Sequence, residues 1–284
     1  MMSVVYAILA AVFYGFSIPF SKPLLATLSP LLLAALLYLG AGIGVWVLRR
    51  FRPLATPVAV RHTDHWAMLG MVVLDVIAPI LLLMGLTSSP AASASLLNNF
   101  EIVATTIIAM ALFREKVHPS VRWAIAIMTV SSVILSVEDW SALHFAWGSV
   151  LILGATVAWG LENNLTRQLS HRDPLQIVII KGVGSGLGSL VLAFVWGLGN
   201  PSLWTIALAL ALGFVAYGLS IAFYVRAQRD LGAAKTSAYY AVAPFIGMVV
   251  GWILFEDALL PSFWIALGLM AWGTVLLIRH ELKS

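Results

Sequence analysis

Apolar positions in this chain do not alternate with polar ones; they run on. From end to end, hydrophobic stretches of roughly 20 residues are separated by short polar breaks, each long enough to cross a ~30 Å hydrocarbon core as a helix. Ten such stretches fall at 3–22, 30–49, 66–87, 91–113, 119–137, 146–169, 175–197, 203–227, 233–255 and 261–279. The breaks between them are too short to hold a soluble domain. The pattern predicts an all-α integral membrane protein of ten transmembrane helices.

The pattern also repeats. Residues 90–136 read again, without a gap, at 232–278, at a constant offset of 142. Pro90-Ala91-Ala92-Ser93-Ala94-Ser95 lines up with Gly232-Ala233-Ala234-Lys235-Thr236-Ser237, and Leu112-Phe113-Arg114-Glu115 with Leu254-Phe255-Glu256-Asp257. The chain divides into a first repeat, 1–140, and a second, 141–284. Five segments per half is an odd number, so the second half enters the membrane from the opposite side. Inverted repeats of this kind mark transporters, with the solute site near the midplane where the halves meet.

Composition agrees with the membrane reading. The chain is 61% hydrophobic and only 10% charged, with mean hydropathy +0.99, too apolar for a soluble domain. The first segment lacks a basic stretch before its apolar core and belongs to the repeat, so it is not expected to be a cleaved signal. Cysteine is absent, which removes disulfides and thiolate chemistry. The pI near 9.5 reflects loop charges, not nucleic-acid binding. With a cytoplasmic N-terminus, 14 of the 16 Lys and Arg residues fall on the inner side: Arg49, Arg50, Arg52, Arg61, Arg114, Lys116, Arg122, Arg167, Arg172, Arg226, Arg229, Lys235, Arg279 and Lys283. Lys22 faces outward, and Glu138, Asp139, Glu256 and Asp257 occupy outer loops. The positive-inside rule then places both termini in the cytoplasm. Trp66, Trp140, Trp147, Trp204 and Trp264 lie near segment ends and read as an interfacial belt.

Charged residues inside a span must face the protein or a wet cavity. Four qualify: Asp75, Glu101, Glu162 and Lys181. Glu101 shares a helix face with Asn98 and Thr105, at i−3 and i+4, forming a polar stripe on an otherwise apolar helix. It reads as a solute ligand or proton carrier, or as a structural hydrogen bond. Trp159, Glu162, Asn163 and Thr166 form one face of the sixth helix, while Asn164 lies on another and serves packing. The sixth and seventh helices form a hairpin that puts Glu162 and Lys181 at similar depth. Their ion pair either fixes helix packing or is opened by solute or proton. Gly182, Gly184, Gly186 and Gly188 follow, a spacing that favours close helix approach. Asp75 stands four residues before Pro79, where it either lines a cavity or caps a freed backbone donor. Pro19, Pro23 and Pro244 mark hinges in the first and ninth helices. Tyr14 and Trp159 occupy matching places in the two halves, and Tyr239 and Tyr240 correspond to Leu97 and Asn98. A buried tyrosine hydroxyl needs a partner, which places Tyr240 opposite the Asn98 stripe.

The chain resembles the drug/metabolite transporter superfamily, specifically its EamA-type ten-helix members. There the fourth and ninth helices carry a Leu-x-x-x-Glu-Pro-like stretch followed by Gly-Glu. Here the first copy, Ser95-Leu96-Leu97-Asn98-Asn99-Phe100-Glu101-Ile102, ends in Arg114-Glu115, and the second, Ser237-Ala238-Tyr239-Tyr240-Ala241-Val242-Ala243-Pro244, ends in Glu256-Asp257. Glu101 keeps the acid and Pro244 the proline. Tyr14-Gly15 and Trp159-Gly160 are also similar to the family. The resemblance implies a central cavity among helices 1–4 and 6–9, helices 5 and 10 at the periphery, and export as the direction.

Rival chemistries find no support. All six histidines (62, 65, 118, 144, 171 and 280) lie in loops, near segment ends or in the tail, away from any intramembrane dyad. There is no His-Glu-x-x-His zinc site, no Gly-x-Gly-Asp and no phosphate-binding Gly-rich loop. The chain is not expected to be an enzyme, to hold a metal or to need a cofactor. The reading is a secondary transporter of a small organic metabolite in a bacterial-type inner membrane, working by alternating access as a monomer or homodimer. Its partners are the lipid bilayer, a small-molecule solute and, in one version, protons exchanged through Glu101; in the other the solute's own gradient drives the cycle. Glu101, Asn98 and Tyr240 contact the polar head of the solute, Trp159 and Tyr14 cover its apolar part, and Asn163 and Tyr239 complete the pocket. Glu101, Asp75, Glu162 and Lys181 are the coupling or buried charges. Such a pocket suits an amino-acid-like zwitterion or an amphipathic amine. An uptake carrier or facilitator for a nucleobase, drug or cation is the alternative, and a non-transporting receptor a further one.

Overall fold

The structure, a computed structural model, describes residues 2–51, 64–115, 117–139, 144–169, 173–231, 233–257 and 259–281. Arg52, Arg61, His62, Lys116, Trp140, His171, Arg172, Gly232 and Lys283, named above, lie outside these residues, as do the side chains of Glu138, Asp139, His144, Arg229, Ala233, Ala234, Ser237 and Ala238.

Each apolar stretch is helical, but four are interrupted. The first comprises α1 (Met2–Gly15) and α2 (Ser17–Leu24), followed by α3 (Pro30–Phe51) and α4 (His65–Ser88). The fourth comprises α5 (Ala91–Leu97) and α6 (Phe100–Leu112), and the fifth is α7 (Pro119–Ser136). A short antiparallel ribbon, β1 (Val137–Asp139) and β2 (His144–Phe145), leads to α8 (Trp147–Gln168) and α9 (Pro174–Trp196). The eighth stretch runs from α10 (Leu203–Gly213) through a π-helical stretch, Phe214–Leu219, to α11 (Ser220–Leu231). The ninth is α12 (Ala233–Tyr240) and α13 (Ala243–Phe255), and the last is α14 (Pro261–Glu281).

Eight of the described stretches are both long and apolar enough to cross a membrane. The others differ for physical reasons. α8 carries Glu162, Asn163, Asn164 and Thr166 in its second half, and α13, though apolar, has only 13 residues. The interruptions follow local chemistry. Pro19 lacks the N–H that would bond the Gly15 carbonyl, and Pro244 lacks the one for Tyr240. The fourth stretch breaks without proline. At Asn98–Asn99 the backbone turns to i−3 bonds, Glu101 N to Asn98 O at 3.1 Å and Ile102 N to Asn99 O at 3.2 Å, and asparagine side chains compete with helical bonding. Not every proline breaks its helix: α2 contains Pro23 and α4 contains Pro79 without interruption.

Six helix pairings dominate the packing: α3 with α9, α4 with α8, α7 with α14, α1 with α11, α6 with α8, and α5 with α13. Small residues permit the closest crossings. A Cβ on Gly42 would lie 2.7 Å from the Val183 nitrogen, one on Gly182 2.5 Å from Gly42, and one on Gly186 2.6 Å from Leu39. Gly182 and Gly186 of α9 therefore serve its packing on α3, while Gly184 and Gly188 face Val72 and Val76 of α4. The main core gathers Leu33, Leu37, Leu83, Leu97 and Trp159. A second core, with Met128, Phe263 and Met270, joins α7 to α14. Trp66, Trp147, Trp204 and Trp264 are exposed on the protein surface.

The loops sort into two groups. At one end, Lys22 Nζ donates to Ser89 O at 2.6 Å and lies 3.9 Å from Asp257. There too Leu28 bridges Gly199, and Asn200 N donates to Thr27 O at 2.7 Å. The other group joins Arg49 to Asp173 at 2.8 Å, Arg167 to Glu115, Ser3 to Asp230, and the His118 ring to that of His280.

Candidate solute and coupling site

Polar side chains inside the bundle form two connected groups. The first surrounds Lys181 of α9. Its ammonium lies 2.9 Å from Glu162 Oε1 on α8 and 3.2 Å from Asp75 Oδ2 on α4. Asp75 is fully buried and Glu162 nearly so. Tyr38 of α3 donates from its hydroxyl to Asp75 Oδ1 at 3.1 Å and accepts from Trp159 Nε1 at 3.3 Å. Thr166 donates to Glu162. A charge here is tolerated only with a partner, and one lysine serves two acids.

The pairing of Glu162 with Lys181 matches the hairpin expectation, and Asp75 turns out to be its third member. Asp75, which its place before Pro79 puts either at a cavity wall or beside a freed backbone donor, is fully buried and meets Tyr38 and Lys181. Both carboxylate oxygens are held by side chains of α3 and α9. Asn164 packs as its face requires, donating to Thr105 O at 2.9 Å and Gly160 O at 2.8 Å.

The second group lies at the interruptions. Asn163 Nδ2 donates to Glu101 Oε1 at 2.8 Å and to Thr105 Oγ1 at 3.2 Å. Asn98 Nδ2 donates to the Tyr14 hydroxyl at 3.3 Å. Tyr240 does not face Asn98 directly. Tyr14 stands between them, its ring centroid 5.6 Å from that of Tyr240, whose hydroxyl is 3.3 Å from Ser220 Oγ. Trp159 likewise does not sit beside Tyr14. A file of rings links the two: Trp159 bonds Tyr38, Tyr38 lies 5.7 Å from Tyr217, and Tyr217 lies 5.8 Å from Tyr14. Tyr239 is half-buried, and no hydrogen bond or ring contact ties it to this group among the described residues.

A small pocket opens where three interrupted helices meet, lined among others by Tyr14, Ser17, Ser95, Asn98 and Pro244. Two buried polar atoms there, Ser95 Oγ and Asn98 Oδ1, have no hydrogen-bond partner among the described residues. Buried polar atoms are rarely left unsatisfied, so this wall presents two acceptors to the pocket. α6 and α13 begin without a side-chain cap, and their first-turn N–H groups donate to backbone carbonyls, Glu101 and Ile102 to Asn98 and Asn99, and Phe245 and Ile246 to Val242. Ser95 Oγ and Asn98 Oδ1 thus share one small volume beside an aromatic file.

Sequence reasoning missed Tyr38, Tyr217, Ser95 and Ser220. Tyr38 carried a signal: it is the one hydroxyl in the otherwise apolar run 30–49. Ser95 and Ser220 carried none, since small hydroxyls satisfy themselves on helix carbonyls throughout such proteins.

Comparison with known proteins points the same way. The model of the EamA-like transporter family matches residues 1–137 and 146–279. An uncharacterized transporter of Methanothermobacter thermautotrophicus is 28% identical over 273 residues, covering 88% of this chain and 78% of that protein. An uncharacterized transporter of Pseudomonas aeruginosa is 31% identical over 133 residues, 44% of each chain. An uncharacterized inner membrane transporter of Escherichia coli K12, YedA, is 24% identical over 133 residues, 46% of this chain and 44% of its own. A solved crystal structure covers 100% of this chain and 99% of its own at TM-score 0.67 and 17% identity, a likeness of fold.

Proposed function

Because the chain belongs to the EamA-like transporter family and is a multi-pass membrane transporter, we propose that it exports a small organic solute through the pocket at the three helix interruptions. The observation that carries this reading is the pair of unpartnered buried atoms, Ser95 Oγ and Asn98 Oδ1, on the wall of that pocket. They accept from an ammonium or amide donor. Tyr14 with its ring neighbours covers apolar surface. An amino-acid-like zwitterion or an amphipathic amine meets these demands. Glu101, tied to α8 through Asn163, is the coupling acid in this reading, and Asp75, Glu162 and Lys181 form the fixed charge layer beside it.

The mechanism proposed is alternating access by two inverted five-helix repeats, residues 1–140 and 141–284. Two observations support it. Exchanging the halves, first stretch with sixth and so on, maps the pairings α3 with α9 and α7 with α14 onto themselves, α4 with α8 onto α1 with α11, and α6 with α8 onto α1 with α13. The loops sort into alternate groups at two ends, as ten crossings require. Cytoplasmic termini follow from the basic residues gathered on one side, and an inner-membrane location is supported by the likeness to the E. coli inner membrane transporter.

The test is a thermal-shift screen of the purified protein against amino acids, amines, nucleobases and cationic drugs, with Ser95→Ala and Glu101→Gln in parallel. A solute that stabilises the wild type but loses its effect in Ser95→Ala is the expected result. Equal stabilisation of all three proteins would remove the solute from this pocket.

A further inference from the structure

The two halves carry the same contact at their crossings. Gly15 ends α1, and a Cβ there would lie 2.9 Å from Ala243 O and 3.0 Å from Ile246 on α13. Gly160 lies within α8, and a Cβ there would lie 2.8 Å from Ala104 and from the Thr105 nitrogen on α6. Ala104 and Ile246 are themselves 142 apart, the repeat offset. Seven residues beyond each glycine stands a cation, Lys22 in the first half and Arg167 in the second. Each cation meets an acid just past the end of the helix that its glycine crosses: Lys22 lies 3.9 Å from Asp257, and Arg167 donates to Glu115 at 2.8 Å. The two acids also stand 142 apart. Each follows a left-handed residue, Arg114 at φ 54 and Glu256 at φ 50. Such a conformation is uncommon outside glycine, and its recurrence at equivalent places marks one motif used twice.

The contexts are not identical. Lys22 also donates to Ser89 O at 2.6 Å and sits 5.4 Å over the Phe255 ring, whereas Arg167 is more than half exposed. The pairs belong to the two different groups of loops: one joins α2 to the end of α13, both of which line the pocket, and the other joins α8 to the end of α6.

We propose that Lys22–Asp257 and Arg167–Glu115 are matched gates at opposite membrane faces, each closing the route to the pocket from its own side. The proposal rests on the transport reading above. Both pairs are made in this structure. Partly exposed pairs are weak, which suits contacts that must open in every cycle. The opposed placement means that loosening one pair biases the protein toward one side only.

The absence of cysteine from the sequence provides a clean test. Ser95→Cys puts a single thiol on the pocket wall, and a membrane-impermeant maleimide is applied to intact cells or to inside-out vesicles. In that background Asp257→Asn is expected to raise labelling from the outside about 2- to 5-fold and leave labelling from the inside unchanged or lower. Glu115→Gln is expected to do the reverse. The exchanged pair Lys22→Asp with Asp257→Lys should return outside labelling toward that of the parent. Labelling that changes on the same side for both variants, or for neither, overturns the gates. The readout needs no solute, so that result would leave the transport reading to its own ligand screen. Conversely, a failed screen with side-specific labelling would retain the gates and remove the assigned pocket chemistry.

Discussion

Asn163 of α8 donates to Glu101 of α6 across 2.8 Å, two residues beyond the point where the fourth stretch turns at Asn98–Asn99. This bond holds the only carboxylate of the fourth stretch at the level of the pocket while leaving its second oxygen free of Asn163. Its amide also reaches Thr105, so one side chain fixes the acid and the helix that carries it.

Replacing Asn163 with Leu should therefore destabilise the protein by about 1–3 kcal/mol, because two polar partners lose their donor. Glu101→Gln keeps an oxygen for Asn163 and should unfold close to the wild type. The comparison is made by thermal unfolding in detergent. If Glu101→Gln proves as unstable as Asn163→Leu, the acid is structural and its coupling role is lost.

Lys181 should be the least replaceable charge in the molecule. Lys181→Met leaves Asp75 and Glu162 buried and unpaired, at a cost of ~3–5 kcal/mol. Adding Glu162→Gln should recover part of the loss, and adding Asp75→Asn as well should recover most of it. Folded yield and unfolding temperature across the three variants check this. Losses that simply add would mean the three side chains do not act as a unit.

Glycine substitutions should separate crossings from open surface. A Cβ on Gly40 would fall 2.1 Å from Leu210 O, and one on Gly213 2.1 Å from Leu37 O. Both contacts are with backbone, so Gly40→Ala or Gly213→Ala must push α3 and α10 apart, costing about 1–3 kcal/mol or more. Gly268 of α14 has nothing within 4 Å, and Gly268→Ala should be neutral or stabilise by up to about 1 kcal/mol. Unfolding temperatures of the three proteins decide the matter.

The α7–α14 pair offers a contrast to the moving parts. Ser131 Oγ donates to Ala266 O at 2.6 Å in a fully buried position. Ser131→Ala should lower stability by about 1 kcal/mol yet leave solute binding in the ligand screen unchanged. Weakened binding would show that this pair is not a peripheral brace.

The sequence disclosed the helices well because a stretch of lipid-crossing length has few alternatives. It also disclosed the partnership of Glu162 and Lys181, since two charges at one depth of a hairpin have little else to meet. What it hid was the joining of elements distant in sequence. Asp75 and Lys181 are brought together by α4 and α9, which pack side by side, and nothing in either stretch records that neighbour. The turn at Asn98–Asn99 was hidden for a different reason. Two asparagines in an apolar run read as a polar stripe, and only the backbone shows that they also end one helix and start another. The file from Trp159 through Tyr38 and Tyr217 to Tyr14 is likewise a property of four separate stretches.

The two glycine crossings have a mechanical consequence. Seven residues separate each crossing from its cation, a span of about 10 Å at helical rise, and in the first half they include the turn at Phe16 between α1 and α2. A helix that tilts about its crossing therefore acts as a lever. A rotation of roughly 20° would carry the charge ~3.5 Å sideways, past the reach of an ion pair. The fulcrum is tight because each glycine meets backbone there, Ala243 O in one half and Thr105 N in the other, with only Ile246 and the short Ala104 side chain beside it. Bulk at the fulcrum, as with Gly15→Val or Gly160→Val, should stiffen the motion more than it weakens the closed contacts, so that the molecule is slowed without being unlocked.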